Sequence, residues 1–276
     1  MTIQSFNLDV DASLHPDAIA TKNLNISIGG HPILSDINAQ IPRNGITAIV
    51  GPSGGGKSTL LRSFNQIGRL TPQYKETGQI NVFGTDISDG FEHVEELRKT
   101  VGMVFQSACV FNTSILKNVT FGLDRQRKLT ASARLNIAET CLRQAALWEE
   151  VKDRLDMRAS KLSLGQKQRL CLARVLAMTP KILLLDEPTA SLDPMSVRKI
   201  EDALLVLKRD YSIIIVTHDL EQMRRLADHI IFIEKGDLKA QGSLEHFKTL
   251  QNNESVLRYF TPFLKPQSPP VLTRVK

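Results

Sequence analysis

The stretch Gly51-Pro52-Ser53-Gly54-Gly55-Gly56-Lys57-Ser58, followed by Thr59, limits the possible folds more than any other part of the chain. It matches G-x-x-x-x-G-K-[ST], and its flanks fit: 46–50 read as a buried strand and 58–66 as a helix. Each residue type has a physical task. The glycines let the backbone wrap closely around an anion with N–H groups pointing inward. The helix opening near Lys57 adds its positive N-terminal end. Lys57 can reach the β- and γ-phosphates, and the Ser58 hydroxyl can ligate Mg²⁺. Gly51 through Thr59 are thus expected to hold a nucleoside triphosphate.

The chain has 276 residues, enough for one large α/β domain or a domain with a subdomain. A net charge of +6 is mild and scattered, which favours an ordinary solvated surface over a nucleic-acid partner. Three cysteines, Cys109, Cys141 and Cys171, are far apart and fit reduced thiols better than a disulfide or zinc framework. Apolar runs are of strand length only, and the N-terminus lacks a signal-peptide pattern, so a cytoplasmic protein is expected.

In chain order, 1–21 has no clear period and reads as an extension. Strands are expected at 24–28, 33–41, 78–84 and 101–105, grouped in a sheet rich in antiparallel neighbours. From about 112 to 159 the pattern is helical, within a helical subdomain over about 107–175; Thr130 caps a helix bearing Ala138, Cys141, Leu142 and Ala145. Ser163-Leu164-Gly165-Gln166 has capping-box form and opens another helix. Strands at 182–185, 212–217 and 229–233, the last expected, alternate with helices, which predicts a parallel sheet. The proline-rich 261–276 reads as an irregular tail. Asp186 and Glu187 end an apolar strand: Asp186 suits Mg²⁺, and Glu187 can deprotonate or orient a water.

Taken with Gln106, Leu162–Gln166, Leu183–Thr189, Ser191–Pro194 and Val216–Asp219 in that order, the phosphate loop makes the chain resemble ATP-binding subunits of ATP-binding-cassette (ABC) transporters over about 24–260. The resemblance implies an α/β, P-loop nucleotide-binding domain with a mixed sheet, an antiparallel β subdomain and a helical subdomain. It implies ATP and Mg²⁺ as cofactors, bound in a head-to-tail homodimer. One subunit's phosphate loop would face the other's Ser163, Gly165 and Gln166. By the same resemblance Gln106 touches Mg²⁺ or the attacking water, His218 contacts the γ-phosphate, and Asp193 signals across the dimer. Partners would be transmembrane permease subunits and, indirectly, an extracytoplasmic solute-binding protein. The place of action would be the cytoplasmic face of the inner membrane, with no nucleic acid expected.

The stretches 60–65, 101–106, 146–155 and 168–174 look like the phosphate-import subunits in particular. Three departures stand out. Ile28 takes the position of an adenine-stacking aromatic, which predicts weaker nucleotide affinity; Ile28→Tyr should then lower the ATP dissociation constant in equilibrium binding, and an unchanged constant sinks the idea. Leu164 replaces a signature glycine and is tolerable only outside positive φ. Residues 107–112 lack the prolines usual in phosphate importers, which leaves open an importer of another solute or an exporter. A second alternative is a soluble ABC protein acting on nucleic acid or ribosomes; such proteins commonly carry two cassettes or a long coiled-coil insert, whereas this sequence shows one phosphate loop and no such insert. A regulatory, non-hydrolysing module fits poorly with both Glu187 and His218 in place.

Overall fold

The computed structural model describes residues 16–88, 91–124, 130–249 and 254–264. The chain opens with β1 (Asp17–Ile28), β2 (His31–Ile37), β3 (Gln40–Pro42) and β4 (Gly45–Val50), then α1 (Lys57–Ser63), β5 (Tyr74–Val82) and β6 (Thr85–Asp86). Next come α2 (Val94–Thr100), β7 (Val101–Val104), α3 (Ile115–Asp124), α4 (Ala131–Gln144), α5 (Trp148–Val151) and α6 (Leu164–Leu176). The chain continues through β8 (Ile182–Asp186), α7 (Pro194–Leu207), β9 (Ser212–Val216), α8 (Leu220–Leu226), β10 (His229–Glu234) and β11 (Asp237–Gly242). Two helices, α9 (Leu244–Thr249) and α10 (Glu254–Leu264), follow.

Two sheets result. The smaller has the order β2-β1-β5-β6, with β3 also on β1, and its pairings are antiparallel. The larger has the order β11-β10-β4-β9-β8-β7; it is parallel except for β11. Period-two alternation divides the central strands between two apolar cores. Ala48, Val50, Leu183, Leu185, Ile213, Ile215 and Phe232 face α3, α4 and α6–α8. Ile49, Leu184, Ile214, Val216, Ile231 and Ile233 face α1, α2 and the antiparallel sheet.

Several expectations change. The strand at 101–104 joins the parallel sheet beside β8, not the antiparallel one, because it is buried at every position and α2 carries the chain across. The strand expected at 33–41 is split into β2 and β3. β1 starts at Asp17, so the boundary placed at residue 22 falls inside a strand. β11 follows the strand expected to be last. α10 runs past Thr261 to Leu264. Packing overrides the proline signal there: Phe232 stacks on Tyr259 at 4.9 Å and meets Phe260 edge-on at 5.6 Å.

Candidate active site

The site lies at the carboxyl ends of neighbouring parallel strands, where open α/β sheets bind ligands. β4 runs into the phosphate loop, β9 into His218, β8 into Asp186 and Glu187, and β7 into Gln106.

The phosphate loop is held by close backbone approach. Gly51 has φ 145°, and a Cβ there would sit 1.9 Å from the Ile233 carbonyl oxygen. Gly56, with φ 97°, caps α1, and a Cβ would meet the Leu34 side chain at 2.5 Å. Pro52, Ser53 and Gly54 form the exposed rim, Gly55 is buried, and Thr59 lies in the first turn of α1. Lys57 is only 6% exposed, and its Nζ donates to the Pro52 carbonyl at 2.8 Å. Burial lowers its pKa, an effect opposed by the charges of Glu187 and Asp186.

Ser58 Oγ donates to Asp186 Oδ1 at 2.7 Å, and Arg62 Nη2 donates to Asp186 Oδ2 at 2.8 Å. Arg62 falls in the 60–65 stretch without a site role of its own; its place one helical turn after Ser58 is the signal for one. Glu187 sits at φ 44°, a conformation that costs a non-glycine residue energy and concentrates at functional sites. Its N–H donates to the Val216 carbonyl at 3.1 Å, which fixes the turn. Gln106 Nε2 approaches Glu187 Oε2 at 3.4 Å, and His218 Nδ1 lies 3.2 Å from the same oxygen. Gln168 Nε2, missed in the sequence, donates to the Phe105 carbonyl at 2.9 Å and so holds the backbone beside Gln106.

Ser163, Gly165 and Gln166 form a second group. Among the described residues no hydrogen bond joins them to the phosphate loop. The capping box is formed: Gln166 N–H donates to Ser163 Oγ at 3.3 Å and Ser163 N–H to Gln166 Oε1 at 3.0 Å. Leu164 takes the first helical position, away from positive φ as required, and is 49% exposed. It lines a cleft of about 430 Å³ with Gln106, Ala108, Ala190 and Leu192. Gly165 is small for packing: a Cβ would lie 2.2 Å from Ser196 Oγ. Ser196 follows Asp193, whose carboxylate caps α7 through the N–H groups of Met195 and Ser196. Both ends of the Gln166 amide are engaged, because Nε2 donates to Glu150 Oε2 at 2.9 Å. Desolvation would raise the Glu150 pKa, but hydrogen bonds from Arg169, Lys199 and Gln166 outweigh it and bring it down to about 2.

The glycine-lined phosphate loop thus stands beside an Asp-Glu strand end and a glutamine-bearing strand tip. The profile of the ABC transporter family matches residues 34–190, and the chain belongs to that family. Solved relatives agree. The cbiO1 protein from Clostridium perfringens, part of the ABC transporter complex cbiONQ, is 31% identical with a TM-score of 0.73 over 91% of this chain and 96% of that one. The cassette MJ0796, solved as a dimer bound to ADP and Pi, is 29% identical with a TM-score of 0.70, covering 82% and 98%. A bacterial Atm1-family exporter with ATP bound is 25% identical with a TM-score of 0.75, covering 92% of this chain and 43% of that chain. Among the described residues no helix is long and apolar enough to cross a membrane.

Proposed function

We propose that this chain hydrolyses ATP, with Mg²⁺, as one half of a head-to-tail homodimer that powers a membrane importer, and that its cargo is inorganic phosphate. The observation that carries the ATPase reading is the convergence of Gln106 and His218 on one oxygen of Glu187, beside the Ser58–Asp186 pair. Oε2 of Glu187 faces two nitrogen groups, which leaves Oε1 to accept a proton from water.

The residues fit magnesium. Ser58 and Asp186 offer oxygen donors only, and no cluster of three His, Cys, Asp or Glu side chains among the described residues could hold a metal unaided. Phosphate oxygens and water would complete the shell. When bound, the ion supplies charge neutralisation at the phosphates. Lys57 supports the same charge from inside the loop, so catalysis is positioning and electrostatics.

The dimer reading is supported by the separation of the Ser163 group from the phosphate loop within one chain, and by the dimeric cassettes among the relatives. Transmembrane permease subunits would be separate chains on the inner membrane, with this chain peripheral on the cytoplasmic face and a solute-binding protein acting indirectly. The phosphate cargo rests on the likeness of 60–65, 101–106, 146–155 and 168–174 to phosphate importers. A second reading, another solute, is favoured by the proline-free segment 107–112. The test is radiolabelled phosphate uptake in cells depleted of the chain. Uptake should return with wild type and not with Glu187→Gln; uptake that persists after depletion rules out the phosphate cargo and leaves the ATPase standing.

A further inference from the structure

Glu150 has no site role in the sequence analysis, yet its carboxylate joins three helices. Oε1 accepts from Arg169 Nη1 at 2.7 Å and from Lys199 Nζ at 2.6 Å. Oε2 accepts from Gln166 Nε2 at 2.9 Å and from Arg169 Nη2 at 3.2 Å. A carboxylate has about four lone-pair sites, and all are taken. Arg169 is fully buried and also donates to the carbonyls of Gly165 and Ala146. The charge of Glu150 therefore pairs α5 with α6 through Arg169 and Gln166, and with α7 through Lys199.

This network decides what the start of α6 can offer an anion. An ionised carboxylate only accepts, so the Gln166 amide must turn Nε2 toward Glu150 and Oε1 toward the Ser163 N–H. Ser163 Oγ in turn accepts from the Gln166 N–H. The Ser163 hydroxyl proton and the N–H groups of Leu164 and Gly165 are then the donors available at this end. Lys199 couples that end to the helix capped by Asp193.

We infer that Glu150 is a positioning residue: through Gln166, Arg169 and Lys199 it presets the Ser163 donor group and the Asp193 segment as one rigid surface for the γ-phosphate held by a second subunit. The inference rests on the head-to-tail reading above. A neutral glutamine at position 150 has one acceptor oxygen in place of two, sets an NH₂ against donors and leaves Arg169 buried without its counter-charge.

The test measures ATP-dependent dimerisation by sedimentation velocity in a Glu187→Gln background, beside ATP binding to the dilute monomer. Adding Glu150→Gln should weaken the dimer about tenfold or more, the scale of one charged hydrogen bond, with monomer ATP affinity within about twofold. Lys199→Met keeps the buried Arg169–Glu150 pair and decides the matter if Glu150→Gln does not fold. It should weaken the dimer several-fold, and Lys199→Arg should restore it. Dimerisation unchanged in folded variants, or monomer ATP binding that falls in step, overturns the proposal. If Glu187→Gln alone shows no ATP-dependent dimer, the head-to-tail reading falls and takes this proposal with it.

Discussion

Replacing Glu187 by glutamine should cut ATP turnover by about a hundredfold or more while ATP still binds, the usual scale for losing a general base. The substitution preserves side-chain shape, so the left-handed turn at φ 44° and its Val216 contact are left in place. What disappears is the acceptor that can take a proton from water. Gln106 and His218 would remain, but both would face an amide instead of an anion. Phosphate release under saturating ATP, compared with nucleotide binding on the same sample, separates chemistry from affinity. Residual turnover above a tenth of wild type would mean that Glu187 is not the base.

Gly51→Ala should be the most damaging small substitution in the phosphate loop. A methyl 1.9 Å from the Ile233 carbonyl cannot be accommodated by a rotamer change, because its neighbour is backbone of a core strand. Overpacking together with an unfavourable φ gives a cost of about 2–5 kcal/mol. The loop must move away from β10, so ATP affinity should fall at least about tenfold with it. Gly54→Ala is the matched comparison: φ is 75°, but no atom lies within 4 Å of its Cβ, so only the dihedral cost of about 1 kcal/mol applies. Urea unfolding of the two variants separates clash from dihedral strain; equal midpoints would remove the steric argument.

The parts of this molecule that can be read from residue order are those whose signal is local. The phosphate loop, the apolar strand ending in Asp186 and Glu187, and the Ser163–Gln166 capping box are each written in consecutive residues, and each has the expected form. Thr130 likewise caps α4 through the Ala133 N–H. Long-range partners leave no such mark. Glu150 and Lys199 are 49 positions apart, and nothing in either neighbourhood announces the other. The sheet that β7 joins is not legible, because a four-residue buried run carries no information about which strand it will pair with. β11 was missed because its side chains are all half-buried, so no alternation marks it. Gly165 carries a nucleotide-binding expectation from the resemblance, and its close packing on Ser196 has no mark in the residue order.

The two apolar cores lie on opposite faces of the central sheet, one with α3, α4 and α6–α8 and the other with α1, α2 and the antiparallel sheet. Movement of either layer therefore bears on the strands that both layers share. The tips of those strands carry Gln106, Glu187 and His218, set within 3.4 Å of a shared oxygen. A small tilt of one layer against the other is expected to change the Gln106–Glu187 and His218–Glu187 distances before it disturbs either core.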